Sequence, residues 1–158
     1  MESPIRVGED FAKDYPDASA SATECAMNLA RAGDLVLNRV AGALQPLDVS
    51  PAGGLVLGIL KDAGRPCPPN YISERLIVSR ATVTGVLDTL VKRDLVRREQ
   101  HPTDRRMVLV HLTKAGARMA DRVRHTVHRG EAEWMSALNQ HERAQLIELL
   151  GKLLRSLT

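Results

Sequence analysis

The sequence predicts an α+β fold that is mostly α, with a single β-hairpin set among helices. Three observations carry that expectation. Apolar residues recur at steps of three and four along most of the chain, the period of a helix. Near Leu95 the period changes once, to a short strand, a turn of polar composition and a second strand rich in β-branched residues. Aromatic residues are 3% of the chain against 44% hydrophobic, so Leu, Val and Ala must fill the core, as they do between packed helices.

Length and charge narrow the class. A chain of 158 residues buries a core without disulfide or metal staples. Its longest apolar stretches are short and interrupted by charge, below the roughly 20 residues of a membrane span. Met1-Glu2-Ser3-Pro4 lacks the basic and apolar regions of a secretory signal, and Cys25 and Cys67 are too few for a disulfide scaffold. The expectation is a cytoplasmic protein, associated with the nucleoid if it binds DNA, with no membrane partner. Net charge is +3, but seven basic and only three acidic residues fall between Lys92 and Lys114, while six acids and two bases fall between Met1 and Glu24. A basic patch on a near-neutral body points to one anionic partner at one place.

The elements follow in order. Residues 1–20 carry Pro4, Gly8, Pro16 and several acids with no sustained period, and read as a flexible arm. Apolar residues at 25, 29, 32, 36, 40, 43 and 47 mark a long helix. Leu35, Leu37 and Leu44 widen its apolar surface, so it needs more than one neighbour, a second subunit among them. Ser50-Pro51 has the form of an N-cap with proline in the first helical position, opening a helix to about Ala63. Gly64 to Pro69 breaks it, and a short helix follows to Leu76. Ser79 can cap the next helix by accepting from the backbone amide of Ala81 or Thr82. Val83, Val86, Leu87, Leu90 and Val91 form the buried side of that helix, which stops near Arg93-Asp94. Leu95 to Glu99 and Met107 to Leu112 make the hairpin around a His101-Pro102-Thr103-Asp104 turn. Thr113 caps a long helix to about Leu138. Asn139 and Glu142 have capping-box spacing before a last helix with Leu146, Leu150, Leu153 and Leu157 on one face.

The middle of the chain therefore reads helix, helix, turn, helix, hairpin: a winged helix-turn-helix module with flanking helices suited to dimerisation. In such a module the second helix of the pair lies across the major groove of DNA. The helix opening at Ser79 presents Ser79, Arg80, Thr82 and Thr84, hydroxyls and a guanidinium able to reach phosphates and base edges. Four stretches then stand in order: Ser79 to Thr84, Leu90 to Arg98, Asp104-Arg105-Arg106, and Val108 to Gly116. Together they resemble the signature of the MarR family of bacterial transcription regulators, over about residues 48–120.

That resemblance implies further roles. Asp104 would brace Arg106 as it enters the minor groove, whose narrow stretches attract arginine, and Arg105 would lie near phosphate. It implies a homodimer on a pseudo-palindromic double-stranded operator, usually as a repressor, with no cofactor and a small-molecule effector pocket; Asn38, Arg39 and Tyr71, with the loop at 64–71, are the candidate ligand residues. The division expected is an arm over 1–20, a dimerisation helix over 21–47, the DNA-binding region over 48–113 and dimerisation helices over 114–158. Two positions depart from the family pattern: Ile77 and Asp94 stand where glycine is usual. Asp tolerates left-handed backbone better than most residues, and Ile does not.

Other readings stay open. Cys25 lies near the reactive cysteine of peroxide-sensing members, so a redox switch of the same fold is one alternative; a buried structural thiol is the plainer one. Cys67, between prolines, reads as incidental. A protein-interaction module that has lost DNA binding is another alternative, against which stand Arg105, Arg106 and the Ser79 to Thr84 turn. His125 and His128 are three apart on a helix but lack an obvious carboxylate or cysteine partner, and no metal site is expected. No phosphate loop or nucleophile–base–acid set is visible, so an enzyme is not expected.

Overall fold

The computed structural model describes residues 3–76, 80–104 and 107–157, Arg80 in its backbone only. It divides into two compact units, residues 1–42 and 43–158, with the boundary inside a helix.

The first unit holds α1, Phe11–Asp14, and most of α2, Ala20–Leu44. α2 begins five residues earlier than the first apolar position suggests, and a 3-10 turn at Gln45–Leu47 replaces its expected last turn. The segment expected to be loose is fastened at residues 5–7. Ile5 donates its amide to Asn28 Oδ1 at 2.8 Å, and Asn28 Nδ2 returns a bond to the Ile5 carbonyl at 2.9 Å. One turn earlier on α2, Glu24 accepts from the Val7 amide at 3.0 Å and the Arg6 guanidinium at 2.6 Å. The Arg6 and then the Val7 bond hold the Glu24 carboxyl below its ordinary pKa. Two polar side chains on a helix thus satisfy backbone groups of a segment without regular structure, an arrangement that leaves no periodic trace in the sequence.

In the second unit come α3, Pro51–Ala63, α4, Pro69–Leu76, and α5, Arg80–Lys92. Strands β1, Val96–Gln100, and β2, Val108–Leu112, follow, then α6, Lys114–Trp134, and α7, Gln140–Leu157. Of the caps expected from sequence, those at Ser50, Thr113 and Asn139 form, and Ser79 lies outside the described residues. Ser50 accepts from the Gly53 amide at 3.1 Å, Thr113 from Gly116 at 2.9 Å, and Asn139 and Glu142 exchange bonds of 2.8 and 3.0 Å. The core lies where α3, α4 and α5 meet the hairpin and the first half of α6, with Val56, Leu57, Ile72 and Val110 wholly buried. Leu55, on the opposite side of α3, is 60% exposed.

β1 and β2 pair antiparallel, from Val96 opposite Leu112 to Gln100 opposite Val108. Cys67 is no incidental loop residue. Its amide and carbonyl bond the carbonyl and amide of Val110 at 3.0 and 2.8 Å, adding a one-residue third strand. Its side chain is fully buried, and burial pushes the thiol pKa up. The prolines around it conceal this pairing, because they suggest a loop while only the residue between them needs to be extended.

Candidate nucleic-acid interface

α5 divides along its length. Val83, Leu87 and Leu90 are buried at 1%, 1% and 2% exposure, whereas Ala81, Thr82 and Thr84 face outward. The polar first turn is therefore presented to solvent by a ridge of apolar residues locked into the core. Val86 is half-buried, and Val91 is exposed. Ser79, Arg105 and Arg106, the side chain of Arg80, and Ile77 lie outside the described residues. Asp104 is exposed at the hairpin tip, where the Met107 amide donates to its carbonyl at 3.0 Å.

The end of α5 is closed by Asp94. It adopts φ 53°, in the left-handed region that aspartate tolerates better than most residues. The Asp94 amide bonds the Val91 carbonyl at 2.9 Å and the Leu95 amide bonds Leu90 at 3.0 Å. This is a Schellman ending, completed by burial of both Leu90 and Leu95. It turns the chain directly into β1. The same corner receives α6: the Thr113 hydroxyl donates to the Asp94 and Leu95 carbonyls, at 2.8 and 3.2 Å, while it caps Gly116. A Cβ at Gly116 would stand 1.9 Å from the Leu95 carbonyl oxygen, so only glycine fits.

Two arginines tie this corner to its surroundings, and periodicity missed both pairings. Arg98 on β1 donates to Asp88 on α5 at 2.6 Å, bracing the wing against the helix. Arg93 reaches the Leu47 and Asp48 carbonyls. On the wing face, Arg97 bonds Glu99 at 2.5 Å and approaches His111 Nδ1 at 3.3 Å. His111 Nε2 is buried 3.2 Å from Glu99 Oε2 and makes no hydrogen bond among the described residues. A cleft of about 360 Å³ runs between the start of α3 and α5, lined by Val49, Ser50, Gly53, Thr82, Gly85 and Thr89 among others.

The candidate ligand residues fall in both units, and each is described within its own. Asn38 and Arg39 are exposed in the first unit, where Asn38 donates to Asp34 at 3.0 Å. Tyr71, in the second unit, is a platform for cations: the Arg75 and Arg65 guanidinium carbons stand 3.4 and 5.4 Å from its ring centroid. Gly64, Arg65 and Pro66 contribute to a separate hollow of about 330 Å³ beside His111. The Cys25 thiol is exposed rather than buried, with no hydrogen-bond partner among the described residues. His128 does have a carboxylate neighbour, Glu131, at 2.9 Å one turn on. Among the described residues no three metal-ligating side chains cluster, and no single helix is long and apolar enough to cross a membrane.

Comparison with known proteins agrees with this geometry. The MarR family model matches residues 49–108, from just before α3 into β2. The HTH-type transcriptional repressor NicR of Pseudomonas putida is 32% identical over 102 residues, 65% of this chain and 64% of NicR. Across the first curated relatives, the chain spans about half to two thirds of their length. Among solved structures, BpsR of Bordetella bronchiseptica, whose DNA binding is regulated by 6-hydroxynicotinic acid, is 27% identical with a TM-score of 0.74, over 82% of this chain and 98% of that one. A mutant MarR from E. coli complexed with operator DNA is 27% identical with a TM-score of 0.76, over 93% and 99%. Wild-type E. coli MarR in its apo form is 30% identical with a TM-score of 0.68, over 80% of this chain and 93% of that one. With such identity across nearly all of that protein, and the same helices and wing in the same order, the chain belongs to the MarR family of winged-helix transcriptional regulators.

Proposed function

We propose that the chain acts as a homodimeric repressor that occupies a pseudo-palindromic operator and releases it when a small-molecule effector binds. The observation that carries this reading is α5, which turns Thr82 and Thr84 outward on a buried Val83–Leu87–Leu90 ridge beside a basic two-stranded wing. Ser79, Arg80, Thr82 and Thr84 would enter the major groove, Arg106 braced by Asp104 the minor groove, and Arg105 would meet phosphate. E. coli MarR, of the same fold, is complexed with operator DNA.

Dimerisation is supported by large apolar side chains exposed on two helices. On α2, Met27, Leu29, Leu35 and Leu37 are exposed; on α7, Ile147, Leu149, Leu154 and Leu157 are. Exposed apolar area of that extent marks an interface. Residues 21–47 and 114–158 would supply the contact, residues 48–113 the DNA module. A two-fold dimer places its two α5 helices in major grooves about one turn of DNA apart. Effector release rests on the relation to BpsR, and 6-hydroxynicotinic acid is the first compound to try.

Operator DNA selected from a random pool tests the reading by fluorescence anisotropy. Arg106→Ala is expected to weaken binding by about tenfold or more, as for loss of one base or groove contact of about 1–3 kcal/mol. Affinity of the unaltered protein falls steeply with salt as counterions are released. Affinity indifferent to both the substitution and salt defeats the proposal. The exposed Cys25 supports a redox variant of the same reading; that variant fails if Cys25→Ser still releases DNA after mild peroxide.

A further inference from the structure

We infer that Arg93 is a positioning residue for the recognition helix α5, holding it at the angle that sets the half-site spacing the dimer accepts. This rests on the DNA-binding role proposed for α5.

Arg93 directly follows the last residue of α5, and Asp94 then carries the chain away in a left-handed turn. Its guanidinium reaches back across the second unit to a segment 45 residues earlier. Nη1 donates to the Asp48 carbonyl, Nη2 donates to the Leu47 carbonyl at 3.2 Å, and Nε stands 3.6 Å from the Asp48 carboxylate. These carbonyls end the 3-10 turn through which the chain passes from α2 to α3, and Asp48 there takes φ 52°. The final carbonyls of a helical segment lack partners within it and carry its negative dipole end. A planar guanidinium presents Nη1 and Nη2 to the two carbonyls in one fixed fork, a geometry that an ammonium on a flexible stem does not impose. The Arg93 side chain is 27% exposed and that of Asp48 89%, so the hold rests on the two backbone carbonyls rather than on the carboxylate.

Arg93 stands at one end of a cleft that runs along α5. The cleft of about 360 Å³ separates Ala81, Thr82, Gly85 and Thr89 from Val49, Ser50 and Gly53, and Asp48 and Arg93 line the same cleft. Among the described residues the helix is held by its apolar ridge, by Asp88 paired with Arg98 of β1, and by Arg93 at its end, and the cleft lies beside its first two turns. It therefore has room to rock into the cleft once Arg93 lets go. α5 has 13 residues, about 20 Å of helix, so a tilt of about 10° moves its N-terminal turn by about 3 Å. That is close to the ~3.4 Å rise of one base pair.

The test uses the full-length protein and its selected operator, with one base pair added or removed between half-sites. The unaltered protein is expected to lose about tenfold or more on each altered spacing. Arg93→Ala is expected to flatten the profile to within about threefold, with binding to random-sequence DNA and its salt dependence unchanged. Arg93→Lys, keeping the charge but losing the fixed fork, is expected to fall between. If Arg93→Ala does not fold, as judged by circular dichroism, Arg93→Lys carries the test alone. A spacing profile identical to that of the unaltered protein overturns the inference, whatever happens to thermal stability. An unaltered protein with no preference for any DNA sequence instead defeats the DNA-binding role on which the inference depends.

Discussion

A Cβ on Gly116 would meet the Leu95 carbonyl oxygen at 1.9 Å, and neither side of that contact can retreat. The oxygen belongs to the backbone that Thr113 grips, and Gly116 sits on the first turn that Thr113 caps. Gly116→Ala must therefore push α6 away from the corner of α5 and β1. We expect a loss of about 3 kcal/mol or more, in the range of buried steric defects, read as a lower urea midpoint. Cys67 is the second residue with a sharp expectation. Its thiol is buried and its pKa raised, so the native state keeps the proton while the unfolded chain ionises above pH of about 8.5. The stability this group contributes is full below that pH and falls as pH rises through it. In a Cys25→Ser background, Ellman's reagent at pH 8 should label Cys67 only at the rate of unfolding. Rapid stoichiometric labelling of the native protein would show that the third strand opens freely.

Among the elements, α7 shows local and tertiary forces acting separately. Its capping box forms as the spacing of Asn139 and Glu142 predicts, yet none of its residues is buried within the chain. Asn139→Ala should cost about 1 kcal/mol, a shift of a few degrees in melting temperature; no shift would mean that the cap is satisfied by water as well as by asparagine. The hairpin illustrates the opposite balance. Its strands were legible from the change of period at Leu95, but periodicity carries no information about the third, single-residue strand at Cys67. Pairing of that kind is decided by which backbone groups are left facing Val110, and not by any local preference. The same holds for Arg98 and Asp88: ten residues apart in sequence, they meet only because the Schellman ending at Asp94 folds β1 back along α5.

For the whole molecule, the exposed leucines of α2 and α7 matter most. The proposed dimer would bury Leu37, Ile147 and Leu149, each more than 60% exposed in the single chain, and its melting temperature should then rise with protein concentration. Replacing Ile147 and Leu154 together by glutamate should convert a dimer to a monomer in sedimentation velocity and remove that concentration dependence. A dimer that survives both charges would place the interface elsewhere.

What the sequence determined by itself was what repeats locally. Helical period, the caps at Ser50, Thr113 and Asn139 and the hairpin depend on residues within a few positions of one another, so they could be read before any coordinates. The outward polar turn of α5 followed from the same rule, since burying Val83, Leu87 and Leu90 leaves Thr82 and Thr84 on the other side. Tertiary structure decided the long-range pairings. These are the tie of residues 5–7 to Glu24 and Asn28, the stacking of Arg65 and Arg75 on Tyr71, the strand at Cys67 and the reach of Arg93 to the end of the 3-10 turn. Each joins groups whose meeting depends on how the elements pack, and a single polar side chain leaves no period behind to announce its partner.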